Sequence, residues 1–440
     1  MTAEVAILNR NAVALAADSA VTLRLPAGAK IYQTNKLFAL SKYEPVAVMV
    51  YGSADFMGVP WETIVKRYRA NLGHRSFRRV AEYGADLLNF VEGNSVFFPP
   101  RTQEGSCYDW TRFWLRLLKK RLKGSLDSKL KTGASISERE VASTFQRIFD
   151  EEVSHLGRHS GLPRFMRGSR AALLRRYRRQ IGEAVKDELQ KLGGVISARR
   201  LAEAAVRAIT SDIYWYNESG IVIAGFGSEE FFPSLRCYTA DSIIGGKLRA
   251  VEEQERRADI TGVHTAVVAA FAQGDMVSLF MNGIDNDYAG FVRSFVGESF
   301  LVHYPDLVSQ LISKHLPHTP NARRSRILKQ LRDAGDKLVS ALGSGINQYA
   351  KAMYSDPIVQ IVDHLPKEEL AAMAEALVNL TSFKRHVTGQ AETVGGPIDV
   401  AVISRGDGLI WIKRKHYFEP GLNQHFLSNY YNDVTGGRRP

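Results

Sequence analysis

The chain opens on two short apolar runs, Ala3–Leu8 and Ala12–Ala17, separated only by Asn9-Arg10-Asn11. Asparagine tolerates the left-handed backbone that tight turns require, so these three residues read as a turn and the runs as paired strands. Strands joined so tightly must pair antiparallel, because a parallel pair needs a crossover of a dozen or more residues. A sheet begun this way directs the rest of the chain toward hairpins.

The pattern continues along the sequence. Pro26 to Gly28 reads as a loop, and Lys36–Leu40 and Pro45–Tyr51 read as third and fourth strands joined by Ser41–Glu44. Two helices follow. The first covers about Phe56–Ala70, with Pro60 limiting its first turn. The second starts near Ser76 and places Val80, Tyr83, Leu87 and Val91 on one face. Ala198–Ala208 is helical in pattern. Strands return at Gly220–Phe226, Leu235–Thr239 and Lys247–Val251. The stretch from Glu252 to Leu365 is mostly helical, including a long polar segment over Asn321–Ala350. Pro366 precedes a helix at Glu368–Phe383. Strands Ile398–Ser404 and Leu409–Lys413 close the chain around the turn Arg405-Gly406-Asp407-Gly408. Antiparallel strands alternating with blocks of helices imply an α+β layered sandwich.

Charge is distributed unevenly over the 440 residues, whose net charge is +12. Residues 101–200 carry 23 Lys and Arg against 11 Asp and Glu, which is the whole excess. Three helical stretches lie in this block. Asp109–Lys123 mixes Trp110, Phe113, Trp114, Leu117 and Leu118 with Lys119, Lys120, Arg121 and Lys123. Ser137 with Glu140 forms a capping-box pattern before Val141, Phe145, Ile148 and Phe149. Leu173, Leu174, Tyr177, Ile181 and Val185 form a stripe beside Arg175, Arg176, Arg178 and Arg179. The block reads either as packed helices with a solvated basic face or as a surface for an anionic partner, nucleic acid included. No RNA-recognition, zinc-finger or helix-turn-helix signature accompanies it.

Two cysteines, Cys107 and Cys237, are too few for a disulfide framework or a thiolate zinc site and suit a reducing compartment. No signal-peptide pattern opens the chain, and no apolar run approaches the ~20 residues that span a bilayer. The expectation is a cytoplasmic protein with no membrane contact. His155/His159 lack the intervening glutamate of a zinc-protease motif, and the glycine runs 225–227 and 343–345 lack a phosphate-loop pattern. Neither a metal nor a cofactor is expected.

Candidate chemistry gathers at the first hairpin. Thr2 follows a methionine that is normally removed before so small a residue. A terminal threonine supplies a hydroxyl nucleophile and an α-amine base together. Asp18 ends the apolar Ala12–Ala17 strand, and across a hairpin that end lies near the start of the first strand. Lys36 opens the third strand. A cation paired with Asp18 beside Thr2 would favour the alkoxide and keep the amine neutral. The same Asp and Lys also suit a strand-end ion pair without chemistry.

The spacing of these residues resembles that of proteasome β-type subunits and of the peptidase subunit of the bacterial two-component ATP-dependent protease, which are N-terminal nucleophile hydrolases. Thr2 stands sixteen residues before the Asp of Ala16-Ala17-Asp18-Ser19, as in that family. Lys36 matches the family's lysine with about two extra loop residues, and Lys30 is the second choice. Gly52-Ser53-Ala54-Asp55 matches the oxyanion turn. Ile223-Ala224-Gly225-Phe226 with Pro233, Leu235 and Tyr238, and Gly395-Gly396 before Ile398–Ser404, resemble later family segments.

The resemblance implies a four-layer αββα sandwich. It implies a single domain over 1–440 with its core at 1–95, 197–251 and 366–413, a basic helical insertion at 96–196, a mostly helical insertion at 252–365, and a tail at 414–440. It implies a threonine peptidase or amidohydrolase in which Thr2, Asp18 and Lys36 are catalytic. Backbone at Gly52 and Tyr51 would hold the oxyanion, and Ser19, Glu392, Thr393 and Gly395 would give support. A peptide or protein substrate and a homo-oligomer, as a ring or larger assembly, follow from the same family. Tyr51 stands where the family has glycine. Ala391 and Val394 stand where it has Asp and Ser, and Glu392, Thr393 or Asp399 are candidate replacements. Those departures keep a second reading open, a catalytically inactive scaffold or binding protein that contacts nucleic acid or another anionic partner through the 101–200 block.

Overall fold

A computed structural model describes residues 3–25, 28–131, 135–159, 161–165, 168–190, 192, 194–388, 395–416, 418–425 and 428. The chain combines helices with antiparallel sheets, an α+β arrangement, and divides into two compact units. The first unit takes in 1–22, 260–402 and 411–415, and the second 23–259, 403–410 and 416–440.

The opening hairpin forms as its turn dictates. Ala3–Asn9 pairs antiparallel with Ala12–Ala17, from Glu4 opposite Ala17 to Leu8 opposite Val13. Asn9 holds the turn. Its Oδ1 accepts from the N–H groups of Asn11 and Ala12, while its Nδ2 donates to the carbonyls of Val362 and Leu365. The five-stranded sheet runs in the order Ala266–Ala272, Ala3–Asn9, Ala12–Ala17, Asp399–Ser404, Gly408–Lys413. Every residue of the first hairpin's strands is buried, so neither strand alternates polar with apolar. Val5, Ile7, Ala14, Ala16, Val400 and Val402 pack with Leu370, Ala374, Leu377 and Val378 of the helix Lys367–Val387.

One element of this sheet lies inside the stretch read as mostly helical. Ala266–Ala272 pairs with Ala3–Asn9 along its whole length, from Ala266 opposite Asn9 to Ala272 opposite Ala3. An apolar run of seven residues does not distinguish a buried strand from a helix by periodicity, and here the pairing decides. Ala258–Asp259 adds a short strand against Ser234 and Leu235, and the helices of the stretch are Asp275–Asn282, Asn286–Glu298, Tyr304–His315, Asn321–Ala350 and Asp356–His364.

In the second unit an antiparallel sheet runs in the order Lys247–Glu252, Ser234–Ile244, Ser219–Gly225, Val46–Gly52, Leu37–Ala39. Val48, Val50, Ile221 and Ile223 on one face meet Trp61, Ile64, Val65 and Tyr68 of the helix Trp61–Leu72, and Tyr83, Leu87 and Val91 of the helix Val80–Gly93. The first of these helices begins five residues later than its apolar pattern suggests. Asp55–Phe56 and Val59–Pro60 form a two-stranded ribbon around Met57 and Gly58, both at positive φ. Such a turn admits no helix until it closes. A second short ribbon pairs Ala20–Leu25 with Gly28–Gln33, on either side of Pro26.

The basic block folds into helices Pro100–Leu130, Glu138–Arg158, Ser169–Arg176, Arg178–Glu188 and Ala198–Ile209. They share a core of Trp110, Trp114, Phe145, Phe149, Tyr177 and Ile181. The capping box is present, with Ser137 and Glu140 exchanging side-chain and backbone hydrogen bonds. The stripe Leu173–Val185 is interrupted at Tyr177, whose hydroxyl receives the N–H of Gly245 at 2.9 Å. Among the described residues no helix is long and apolar enough to cross a membrane.

Candidate functional site

Asp18 follows directly on the Ala12–Ala17 strand, opposite the first residue of its partner. The hairpin register makes this unavoidable, because pairing of Glu4 with Ala17 brings residue 18 beside residue 3. The Asp18 N–H donates to the Ala3 carbonyl at 3.1 Å, and Asp18 Oδ1 accepts the Ala3 N–H at 3.2 Å. Oδ2 accepts the N–H of Gly395 at 3.0 Å. The side chain is 1% exposed. A carboxylate in this position fixes the backbone that enters the first strand and the turn that precedes Asp399–Ser404.

Two further bonds stitch the same turn. The Ser19 hydroxyl donates to the Pro397 carbonyl at 2.7 Å, and the Ala20 N–H donates to the Gly395 carbonyl at 3.1 Å. Gly396 sits at φ +77°, which its lack of a Cβ allows. Asp18, Ser19 and Gly395 are therefore brought together. Thr2, Glu392 and Thr393 lie outside the described residues, as do Ala391 and Val394. Asp399 is buried and bound to Lys415, accepting its N–H and its Nζ at 2.8 Å each. That ion pair engages both of its oxygens.

In the second unit, Lys36 immediately precedes the strand Leu37–Ala39 and is 4% exposed. Its carbonyl accepts the N–H of Val50 at 2.8 Å. Lys30, in the Gly28–Gln33 strand, is exposed. The two lysines thus differ in burial.

Gly52 ends the Val46–Gly52 strand at φ +80°, and a Cβ there would stand 2.5 Å from the Glu218 carbonyl oxygen. Only glycine fits this position. The next N–H, that of Ser53, donates to the same Glu218 carbonyl at 2.9 Å. Ser219 and Trp61 brace the turn through Trp61 Nε1 to Ser219 Oγ at 2.9 Å. Tyr51 precedes this glycine in the same strand. Its ring lies over Gly220, where a Cβ would meet it at 1.9 Å, and its hydroxyl receives Arg256 Nη1 at 3.0 Å and contacts Cys237 Sγ at 3.4 Å. Burial, with the neighbouring thiol, pushes the Tyr51 hydroxyl far above the ordinary tyrosine range.

Glu218 and Arg256 border this turn, and nothing in their local sequence marks them. Burial pushes the Glu218 carboxyl up, and the charges of Asp241 and Glu253 add to that. Both thiols are buried, which pushes Cys107 up to about 12 and Cys237 up to about 11. Among the described residues no group of three His, Cys, Asp or Glu side chains is placed to hold a metal. In the basic block, Glu188 gathers Arg112, Arg116 and Lys119, and Arg121 joins Glu151 and Glu152. Four of the block's cations are thereby paired within the block, which leaves its net excess unchanged.

No protein-family model matches the chain, and no curated protein matches it. Among solved structures, an Anbu (Gly-1) mutant from Hyphomicrobium sp. strain MC1 is similar over 100% of this chain and 99% of its own, at 9% identity and a TM-score of 0.27.

Proposed function

We propose that the protein is a proteasome-like N-terminal nucleophile hydrolase, a threonine amidohydrolase acting on peptide bonds, built on the four-layer αββα sandwich and working as a homo-oligomer. The observation that carries this reading is the Asp18 carboxylate, buried and bound to the N–H groups of Ala3 and Gly395. It anchors the backbone one residue from Thr2, where an N-terminal nucleophile needs a fixed origin. Burial of Lys36 and the glycine-only conformation of Gly52 are further support.

In this mechanism the hydroxyl oxygen of processed Thr2 attacks the amide carbonyl. The Thr2 amine takes the hydroxyl proton and then gives it to the departing amine, leaving an ester. Water, deprotonated by the same amine, hydrolyses the ester and restores the threonine. Lys36 keeps the amine neutral near pH 7, Asp18 supports that charge, and backbone N–H at Gly52 stabilises the oxyanion, a contribution of ~10²–10³ in rate. The roles of Lys36 and Gly52 rest on sequence resemblance.

The test is intact mass of the native-terminus protein after treatment with an electrophile selective for N-terminal threonine. Loss of Met1 with a single adduct, absent from Thr2→Ala, is the expected result. A retained Met1, or a free Thr2 that takes no adduct, overturns the enzyme reading in favour of a scaffold.

A further inference from the structure

The helices between Asn286 and Ala350 form an antiparallel hairpin. Asn286–Glu298 continues through a π-turn at Ser299–His303 into Tyr304–His315, and Asn321–Ala350 returns along both. The two legs approach closely at Gly335, where a Cβ would stand 2.9 Å from the Phe300 carbonyl. Yet only Pro305, Gly335 and Ala350 are buried across residues 286–350. Each leg instead exposes an apolar stripe. Tyr288, Phe291 and Phe295 are 60–63% exposed at helical spacing on one leg. Leu338, Leu342 and Tyr349 line the other at 40–61%.

Solvent-facing stripes of this kind are not a monomer's surface. Aromatic side chains present ~150–250 Å² each, so these residues with Tyr304, Leu307 and Leu311 leave on the order of 1,000 Å² of apolar surface uncovered. A stable interface needs ~800 Å² from each partner. We propose that this hairpin is a dimerisation arm, covered by the same hairpin of a second copy of the chain in a four-helix bundle.

Charge favours a copy of this chain as the occupant. The returning leg is net basic, with Arg323, Arg324, Arg326, Lys329, Arg332 and Lys337 against Asp333 and Asp336, while the outgoing leg is slightly acidic, with Asp287, Glu298 and Asp306 against Arg293 and Lys314. Two-fold pairing sets the outgoing leg of one copy against the returning leg of the other, opposite in charge and matched in apolar stripe.

The inference concerns the arm alone and stands or falls separately from the Thr2 adduct. Light scattering of the full-length chain at micromolar concentration should give at least twice the monomer mass. The variant Phe291→Glu/Phe295→Glu/Leu338→Glu/Leu342→Glu should lower that mass at least two-fold with unchanged far-UV circular dichroism. Because those changes also risk the arm's fold, a spin label on Gln348→Cys, an exposed position of the returning leg, provides a second reading. Intermolecular dipolar coupling there, and none from a label on Lys186→Cys, supports the arm. A monomeric wild type, an assembly indifferent to the variant, absence of coupling at 348, or a monomer that co-floats with phosphatidylserine vesicles each overturns it.

Discussion

Asp18 shows how one side chain combines structural and chemical demands. Replacing it by asparagine keeps the shape but turns one acceptor oxygen into an NH2 donor. That group would face either the Ala3 or the Gly395 N–H, donor against donor. An unsatisfied buried pair of this kind costs about 1–3 kcal/mol. Asp18→Asn should lower stability by that amount in urea denaturation. On the proposed mechanism it should also slow Thr2 adduct formation by at least an order of magnitude. An acid ending an apolar strand was readable from the sequence, and so was its nearness to residue 3, because both follow from a hairpin three residues wide. Its bond to Gly395, 377 residues away, was not. The same holds for Asp399, whose partner Lys415 carries no local mark.

At the scale of elements, two helices illustrate local and distant control. The Glu138–Arg158 helix is capped by its own sequence, Ser137 with Glu140. Ser137→Ala should cost ~1 kcal/mol and speed hydrogen exchange of the first-turn amides. The Pro100–Leu130 helix is held instead from the sheet. Arg249 is fully buried, with its guanidinium 4.6 Å from the Trp110 ring and 5.3 Å from the Trp215 ring. It is bound to Asp241 at 2.9 Å, and Asp241 also accepts from Trp110 Nε1 and the Tyr216 N–H. Arg249→Met removes the cation and leaves a buried carboxylate. The expected loss is about 3–5 kcal/mol, measured by denaturant midpoint, and Arg249→Met/Asp241→Asn should recover part of it. Spacing of Trp110, Trp114 and Leu118 indicates a helix. It says nothing of an arginine that arrives from a strand more than a hundred residues later.

For the whole molecule, acid tolerance follows from where carboxylates sit. Burial alone would push Glu92, Glu188 and Asp275 up, but hydrogen bonds and cations outweigh it. Leu248 N–H, Arg164 and Lys247 act on Glu92, Arg112, Lys119 and Arg116 on Glu188, and Lys384 and Arg385 on Asp275. All three are held below their ordinary values, so in acid the unfolded chain binds more protons than the folded one. Their stabilisation is complete above about pH 4–5 and is lost as pH falls through the folded values. The melting temperature should therefore drop steeply below about pH 4, and Glu188→Gln should flatten that drop.

Alternation of apolar runs, turn residues and caps sufficed for much of the strand and helix order, for antiparallel pairing and for the first hairpin's register, because each is decided within a few residues of chain. The contacts between distant segments decided the rest. Residues 266–272 became a sheet strand only by pairing with Ala3–Asn9, and the exposed face of the 286–350 hairpin appeared only once its two legs had packed. Local propensity cannot encode such choices, since the partner that satisfies each backbone or apolar surface is contributed by a segment far away in sequence.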